Sequence, residues 1–156
     1  MQKYWKYLVY LLKHKYWVFI GGLKNNVPFH LLVLHDLDKF LPYMFVAFSK
    51  NYYGTDEEKN ENGIAYYRAW NDHQKRNKHH IEYWICLNPY SFSDNFEMYL
   101  EIPLVYVREM IADWYSAGIS KKGKVDLHYW YDTHKDFMKI HHKTKKAIET
   151  YLKMKG

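Results

Sequence analysis

The sequence predicts an all-α fold, and three observations carry that reading. Apolar residues recur at helical spacing in most segments, and the period-two alternation of half-buried strands is missing. The 156 residues include only 7 Gly and 4 Pro, too few for a scaffold built from loops. With 48% apolar and 26% charged residues the composition is globular, and the length suits a single domain, 1–156, able to bury its own core.

The elements follow in order. Tyr7, Leu11, His14 and Val18 share one face, which predicts a first helix from about Tyr4 to Ile20, ended by Gly21-Gly22. A second helix begins after Pro28, carries the apolar run Leu31 to Leu34 and closes on His35-Asp36. Pro42 opens a short third helix through Ser49. The polar stretch Asn51 to Asn62 reads as an exposed connection. A long helix is expected from Gly63 to about Leu87, stopped by Asn88-Pro89-Tyr90. Pro103 starts a helix that reaches Ala117, with Gly118 as its cap and a loop over Ser120 to Val125. Thr144 to Met154 should be helical again. No sheet, internal repeat, Gly-rich phosphate loop or C-x-x-C pair is expected.

Charge is unevenly placed. Residues 1–120 hold 13 Lys and Arg against 13 Asp and Glu, and the final 36 hold 10 against 4, so the whole net charge of +6 lies in a Lys-rich segment, 121–156. That segment suits a solvated helix, or a surface for nucleic acid, although its cations are all Lys and lack the fork with which Arg grips phosphate. The single cysteine, Cys86, permits no internal disulfide and fits a reducing compartment. Lys13, His14 and Lys15 interrupt the apolar N-terminus, so no membrane span is expected and the reading is cytoplasmic, the host cytoplasm for a phage-encoded chain.

Ten histidines are the outstanding count, because imidazole is the commonest protein metal ligand. His35-Asp36 at a helix end offers a neutral nitrogen beside an anionic oxygen, a pair suited to a divalent ion of borderline hardness, although a helix cap would also explain it. Trp70, His73, Asn77, His80 and Trp84 would form one helical stripe, and two tryptophans draw the polar groups between them inward. His79 would point about a third of a turn away. Glu109 and Asp113, one turn apart in an apolar helix, would be costly to bury without a cation. His14 lies on an apolar face, where a lone histidine is commonly a packed core residue. His128, His134, His141 and His142 show no convergent spacing and read as surface residues.

In the order His14, His35-Asp36, His73, His79-His80, Asp113, the chain resembles the HD-domain superfamily of metal-dependent phosphohydrolases. More closely, the blocks HDLDKF (35–40), AWNDHQKRNKHHIEYW (69–84) and EMIADWY (109–115) resemble a family of small bacterial and phage proteins with no assigned function. The superfamily resemblance implies a helical bundle in which His14 (or His30), His35, Asp36 and Asp113 hold one divalent ion. Asp36 would then bridge to a second ion held by His73 and His80, with His79 a further candidate. The mixed ligands suit Mn, Fe, Co, Ni or Zn, which lower the pKa of bound water from ~15.7 towards ~7 and so create hydroxide for attack on phosphorus. It further implies that Lys39, Arg76 and Asn77 hold phosphate oxygens, that water or Asp38 protonates the leaving group, and that Glu82 and Glu109 orient ligand imidazoles. The substrate would be a small phosphorylated compound, foremost a nucleotide, with Tyr43, Tyr52 or Tyr53 as a platform for its base unless these rings simply pack the core. Two alternatives stand beside this expectation: a non-catalytic basic module that binds nucleic acid or a host protein, and a di-iron oxygenase of the same superfamily.

Overall fold

The computed structural model describes residues 1–88 and 96–155, the side chains of 154 and 155 excepted. Helix makes up 75% of it, and the only sheet among the described residues is two-stranded, so the chain is all-α. The helices are α1 (Gln2–Lys24), α2 (Phe29–Leu34), α3 (Pro42–Tyr53), α4 (Asp56–Arg76), α5 (Leu104–Lys122), α6 (Leu127–His134) and α7 (His142–Lys155). Single 3-10 turns lie at Leu37–Phe40 and Ile81–Trp84. Contrary to the expectation of no sheet, β1 (Ile85–Leu87) pairs antiparallel with β2 (Glu97–Tyr99), Cys86 lying opposite Met98. Of the predicted stop at Asn88-Pro89-Tyr90, only Asn88 falls within the described residues.

α1 and α5 run antiparallel along the middle of the molecule. The predicted stripe on α1 is its buried face, formed by Tyr7, Leu11, His14 and Val18 and extended by Gly22. The glycine pair does not end this helix. A Cβ on Gly22 would lie 2.2 Å from Leu32 Cδ2, so the missing side chain lets α2 press directly onto α1. Likewise Gly118 is no cap: it sits inside α5 against Val125, and the left-handed residue that closes the helix is Gly123 (φ 71°).

Helix α4 begins earlier than predicted because Thr55 and Glu58 form a reciprocal capping box. Thr55 Oγ1 accepts the Glu58 N–H, the Glu58 carboxylate accepts the Thr55 N–H, and Asp56, Glu57 and Glu58 occupy the first turn, where the helix dipole favours acids. The supposed connection 51–62 is therefore mostly helix, and its Asn62 is buried, donating to the Ala47 carbonyl at 2.8 Å.

One apolar cluster, with Tyr7, Leu11, Met44, Phe48 and Ala69, joins α1, α3 and α4; another, with Val107, Met110, Ile111, Tyr131, Ile148 and Leu152, joins α5 to α6 and α7. The Lys-rich segment is thus packed into the fold through Tyr131, Ile148 and Leu152. No helix among the described residues is long and apolar enough to cross a membrane.

Candidate metal centre

Between these clusters the helices deliver an unusual set of buried polar groups. His14 comes from the middle of α1 and Asp113 from the middle of α5. His35 follows the last residue of α2, and Lys15 Nζ fixes that end by donating to the carbonyls of Val33 (3.0 Å) and His35 (2.7 Å). The backbone of Asp36 then turns left-handed (φ 57°, ψ 18°), a conformation Asp tolerates better than most residues. Its carboxylate is completely buried, in contact distance of α1, α4 and the turn that follows α4.

His73 lies in the last turn of α4. The long helix predicted through Leu87 breaks after Arg76 because the Asn77 side chain donates to the His73 carbonyl (2.8 Å) and to Asp38 Oδ2 (2.9 Å), closing the C-terminal end of the helix. The reversal that follows brings His79 and His80 back to His73, so His79 is not turned away from the other two. His80 Nε2 stands 2.8 Å from His73 Nε2.

Three sets of ligand atoms result, each within 4.8 Å of its own members; one is His35, His79 and Glu109, and the other two share Asp36. The first of these two comprises His14, His35, Asp36 and Asp113, with His14 Nε2 at 3.2 Å from Asp36 Oδ2 and 3.0 Å from Asp113 Oδ1. The second comprises Asp36, His73, His79 and His80, with Asp36 Oδ1 at 3.4 Å from His73 Nε2 and 3.5 Å from His79 Nε2. Asp36 belongs to both, turning one oxygen to each. These groups could hold a metal ion, and the hydrogen-bond pattern fits one. His14 Nε2, His35 Nε2, Asp36 Oδ1 and His79 Nε2 are buried without a hydrogen bond of acceptable geometry, a costly state for polar atoms that a shared cation would relieve.

The opposite ring nitrogens of His14, His35, His73 and His79 are committed. Glu109 accepts from His35 Nδ1 at 2.9 Å and lies 3.3 Å from His79 Nδ1. Asp38 accepts from His73 Nδ1 at 2.9 Å. Ser116 donates to the Asp113 carbonyl and accepts from His14 Nδ1, both at 2.9 Å. In each case the outer N–H bond leaves Nε2 as the lone-pair nitrogen facing inward.

Burial alone would raise the Asp36 and Asp113 carboxyls. The surrounding imidazoles, with Lys39 beside Asp36, hold both well below the usual carboxylate range. Burial also opposes charge on His35, yet Asp36, Asp113 and Glu109 push its pKa up to about 10. His73 is lowered by burial and by Lys39, and His80 is lowered further by burial and by the adjoining His79 and His73.

Several expected roles change. Lys39 Nζ sits on Asp36 Oδ2 at 2.6 Å, a cation beside the anion at the hub. Asn77 is spent on Asp38 and the end of α4, and Asp38 is held below its usual pKa by the His73 and Asn77 hydrogen bonds that outweigh its burial, so it orients His73 rather than carrying a proton. Arg76 is exposed at the end of α4, outside both ligand sets, as is His30 on α2. Glu82 is half exposed and only 4.0 Å from His80 Nδ1, too far for a hydrogen bond. Tyr43 is exposed and donates to Asp72, while Tyr52 packs among Tyr7, Tyr10 and Phe48 and Tyr53 lies at its edge.

Two features carry no linear signal. A cleft of about 500 Å³ opens on His79, His80 and Asp113, walled by Trp70, Trp114 and Trp130. Trp114 and Trp130 pack at 4.6 Å between centroids, and His134, read as a surface residue, stacks on Trp130 at 4.6 Å and lines the same cleft. Lys121, in the last turn of α5, folds back over the Tyr52 ring at 4.8 Å; burial and the neighbouring Lys39 lower its pKa.

A family model described as a family of unknown function, DUF5662, matches residues 3–154. The chain belongs to that family. The match spans α1 to α7, so every ligand group of the centre lies within the family's common region. No curated protein and no solved structure is significantly similar to the chain.

Proposed function

We propose that this protein is a phosphohydrolase that uses one or two divalent transition-metal ions to cleave a nucleotide or a comparably small phosphoester. The observation that carries the reading is the division of Asp36: its two buried oxygens face two separate ligand sets, and the inward nitrogens of His14, His35 and His79 lack hydrogen bonds. The resemblance of the His, His-Asp, His, His-His, Asp order to the HD-domain phosphohydrolases points the same way. Imidazole with carboxylate suits Mn, Fe, Co, Ni or Zn.

Ions of this class, when bound, make a water more acidic and neutralise charge on phosphoryl oxygens. The chain's own residues do the rest. Glu109, Asp38 and Ser116 keep the ligand imidazoles in one tautomer and one orientation. Lys39 balances the Asp36 charge, and Lys121, held over the Tyr52 ring, is the cation nearby for phosphate oxygens. The tryptophan walls of the adjoining cleft offer stacking faces for a planar ring, and its volume matches a small ligand.

The test is elemental analysis of the purified protein, with Asp36→Ala alongside, followed by assay against nucleotides and generic phosphoesters after metal loading. Bound transition metal that the variant loses, together with release of phosphate, is the expected result. No metal after reconstitution, or a metal-loaded protein inert across the panel, overturns the proposal.

A further inference from the structure

A second concave surface lies where the C-terminal end of α1 meets α5 and α7. It is a groove of about 560 Å³ bordered by Lys24, Asn25, Asn26, Arg108, Lys143 and Lys146. Along α1 its nearest residue, Lys24, stands ten positions beyond His14, about 15 Å at the helical rise, so the groove is separate from the metal centre. Tyr151 and Leu104 add an aromatic and an apolar wall.

The charge of this groove is one-sided. Four of its lining residues are cations, two are amides, and none is a carboxylate. Lys143 pairs with Glu101 at 3.2 Å, but among the described residues no acid lies within ion-pair distance of Lys24, Arg108 or Lys146. The Lys24 charge suits the C-terminal end of its helix, whereas α7 opens on His142, Lys143, Lys145 and Lys146 with no acid in its first turn, the reverse of what the dipole favours. Folding therefore gathers cations here against their mutual repulsion, and against the preference of one of the two helix ends. Arg108 of α5 adds the fork geometry that the Lys-only segment 121–156 lacks.

We propose that this groove binds a compact polyanion carrying two or more phosphate groups. The small-ligand volume, about 560 Å³, favours a small molecule over a nucleic-acid strand, which needs a continuous track. The site stands on its own residues and does not depend on the reading of the metal centre.

Calorimetric titration of the full-length protein with inorganic tripolyphosphate, in chelator, tests it. Arg108→Gln/Lys146→Gln should weaken binding roughly tenfold or more, and Lys39→Gln, at the metal centre, should leave it unchanged. If the double variant melts early, Lys24→Gln, exposed at a helix end, should still weaken binding about threefold. Absence of binding by the parent protein, binding that Lys39→Gln abolishes, or binding that none of the groove variants weakens overturns the proposal. A single-stranded oligonucleotide that binds tighter than tripolyphosphate through the same residues overturns the choice of ligand.

Discussion

The two halves of the candidate centre share Asp36 and differ in almost everything else. The first half has two imidazoles and a second carboxylate, all but His35 and Asp36 drawn from helix interiors. The second has three imidazoles and no acid of its own, and two of its ligands lie on an irregular turn. The charge difference appears in the protons. His35, among Asp36, Asp113 and Glu109, is pushed up to about 10, whereas His73 is lowered by burial and Lys39, and His80 by burial and the adjoining His79 and His73. The acidic half keeps itself compensated with a proton on His35 and with Lys39; in the imidazole half His73 and His80 are biased towards the neutral form, which an ion can take with less competition from protons. One fold thus makes a strongly anionic site and a softer, nitrogen-rich one side by side.

Breaking the shared residue should erase the difference. Asp36→Ala is expected to remove every bound ion and bring hydrolysis to background, read by elemental analysis and phosphate release. His14→Ala and His80→Ala should separate the halves, each costing about one ion per chain if both halves are filled; equal loss of all metal from either variant would mean a single site. The outer partners should follow in graded order. Glu109→Gln touches a ligand of each half and should weaken metal binding by roughly 10–100-fold, Asp38→Asn should affect the imidazole half alone, and Ser116→Ala, which removes only one hydroxyl acceptor, should do least. Competition titrations with a chromogenic chelator would rank them.

Acidity sharpens the same contrast. In metal-free protein the raised His35 pKa contributes stability that is complete below the unfolded value, about 6.5, and is lost as pH rises through about 10. His73 and His80 work in the other direction: with lowered values they make the native state bind fewer protons than the unfolded chain, so stability falls as pH drops below about 6.5. Denaturant midpoints in chelator should therefore decline on both sides of that pH. Metal loading, which displaces the His35 proton, should flatten the alkaline side.

Much of this was legible in sequence where a single helix face decides the outcome. The stripe of α1 placed His14 inward, and Glu109 and Asp113 one turn apart read as a pair needing a cation. The assignment failed where a side chain competes with the backbone. Asn77 looked like one more member of a helical stripe, and nothing in the periodicity signals that its amide closes α4 and returns His79 to the cluster. A capping box, Thr55 to Glu58, was present in the sequence and would have placed the start of α4. The tryptophan cleft and Lys121 were beyond sequence reasoning, because they depend on α4, α5 and α6 meeting in space.

The left-handed backbone at Asp36 has an evolutionary consequence. Asn or Gly can occupy that conformation as readily as Asp, and each is one base change away, so the hub can be silenced while the turn that carries it survives. A β-branched replacement would instead strain the chain there. The fold therefore has a short mutational path along which the shared ligand is lost and the turn is kept, and a relative with Asn or Gly at this position would be expected to keep the helices and lose the two-sided carboxylate.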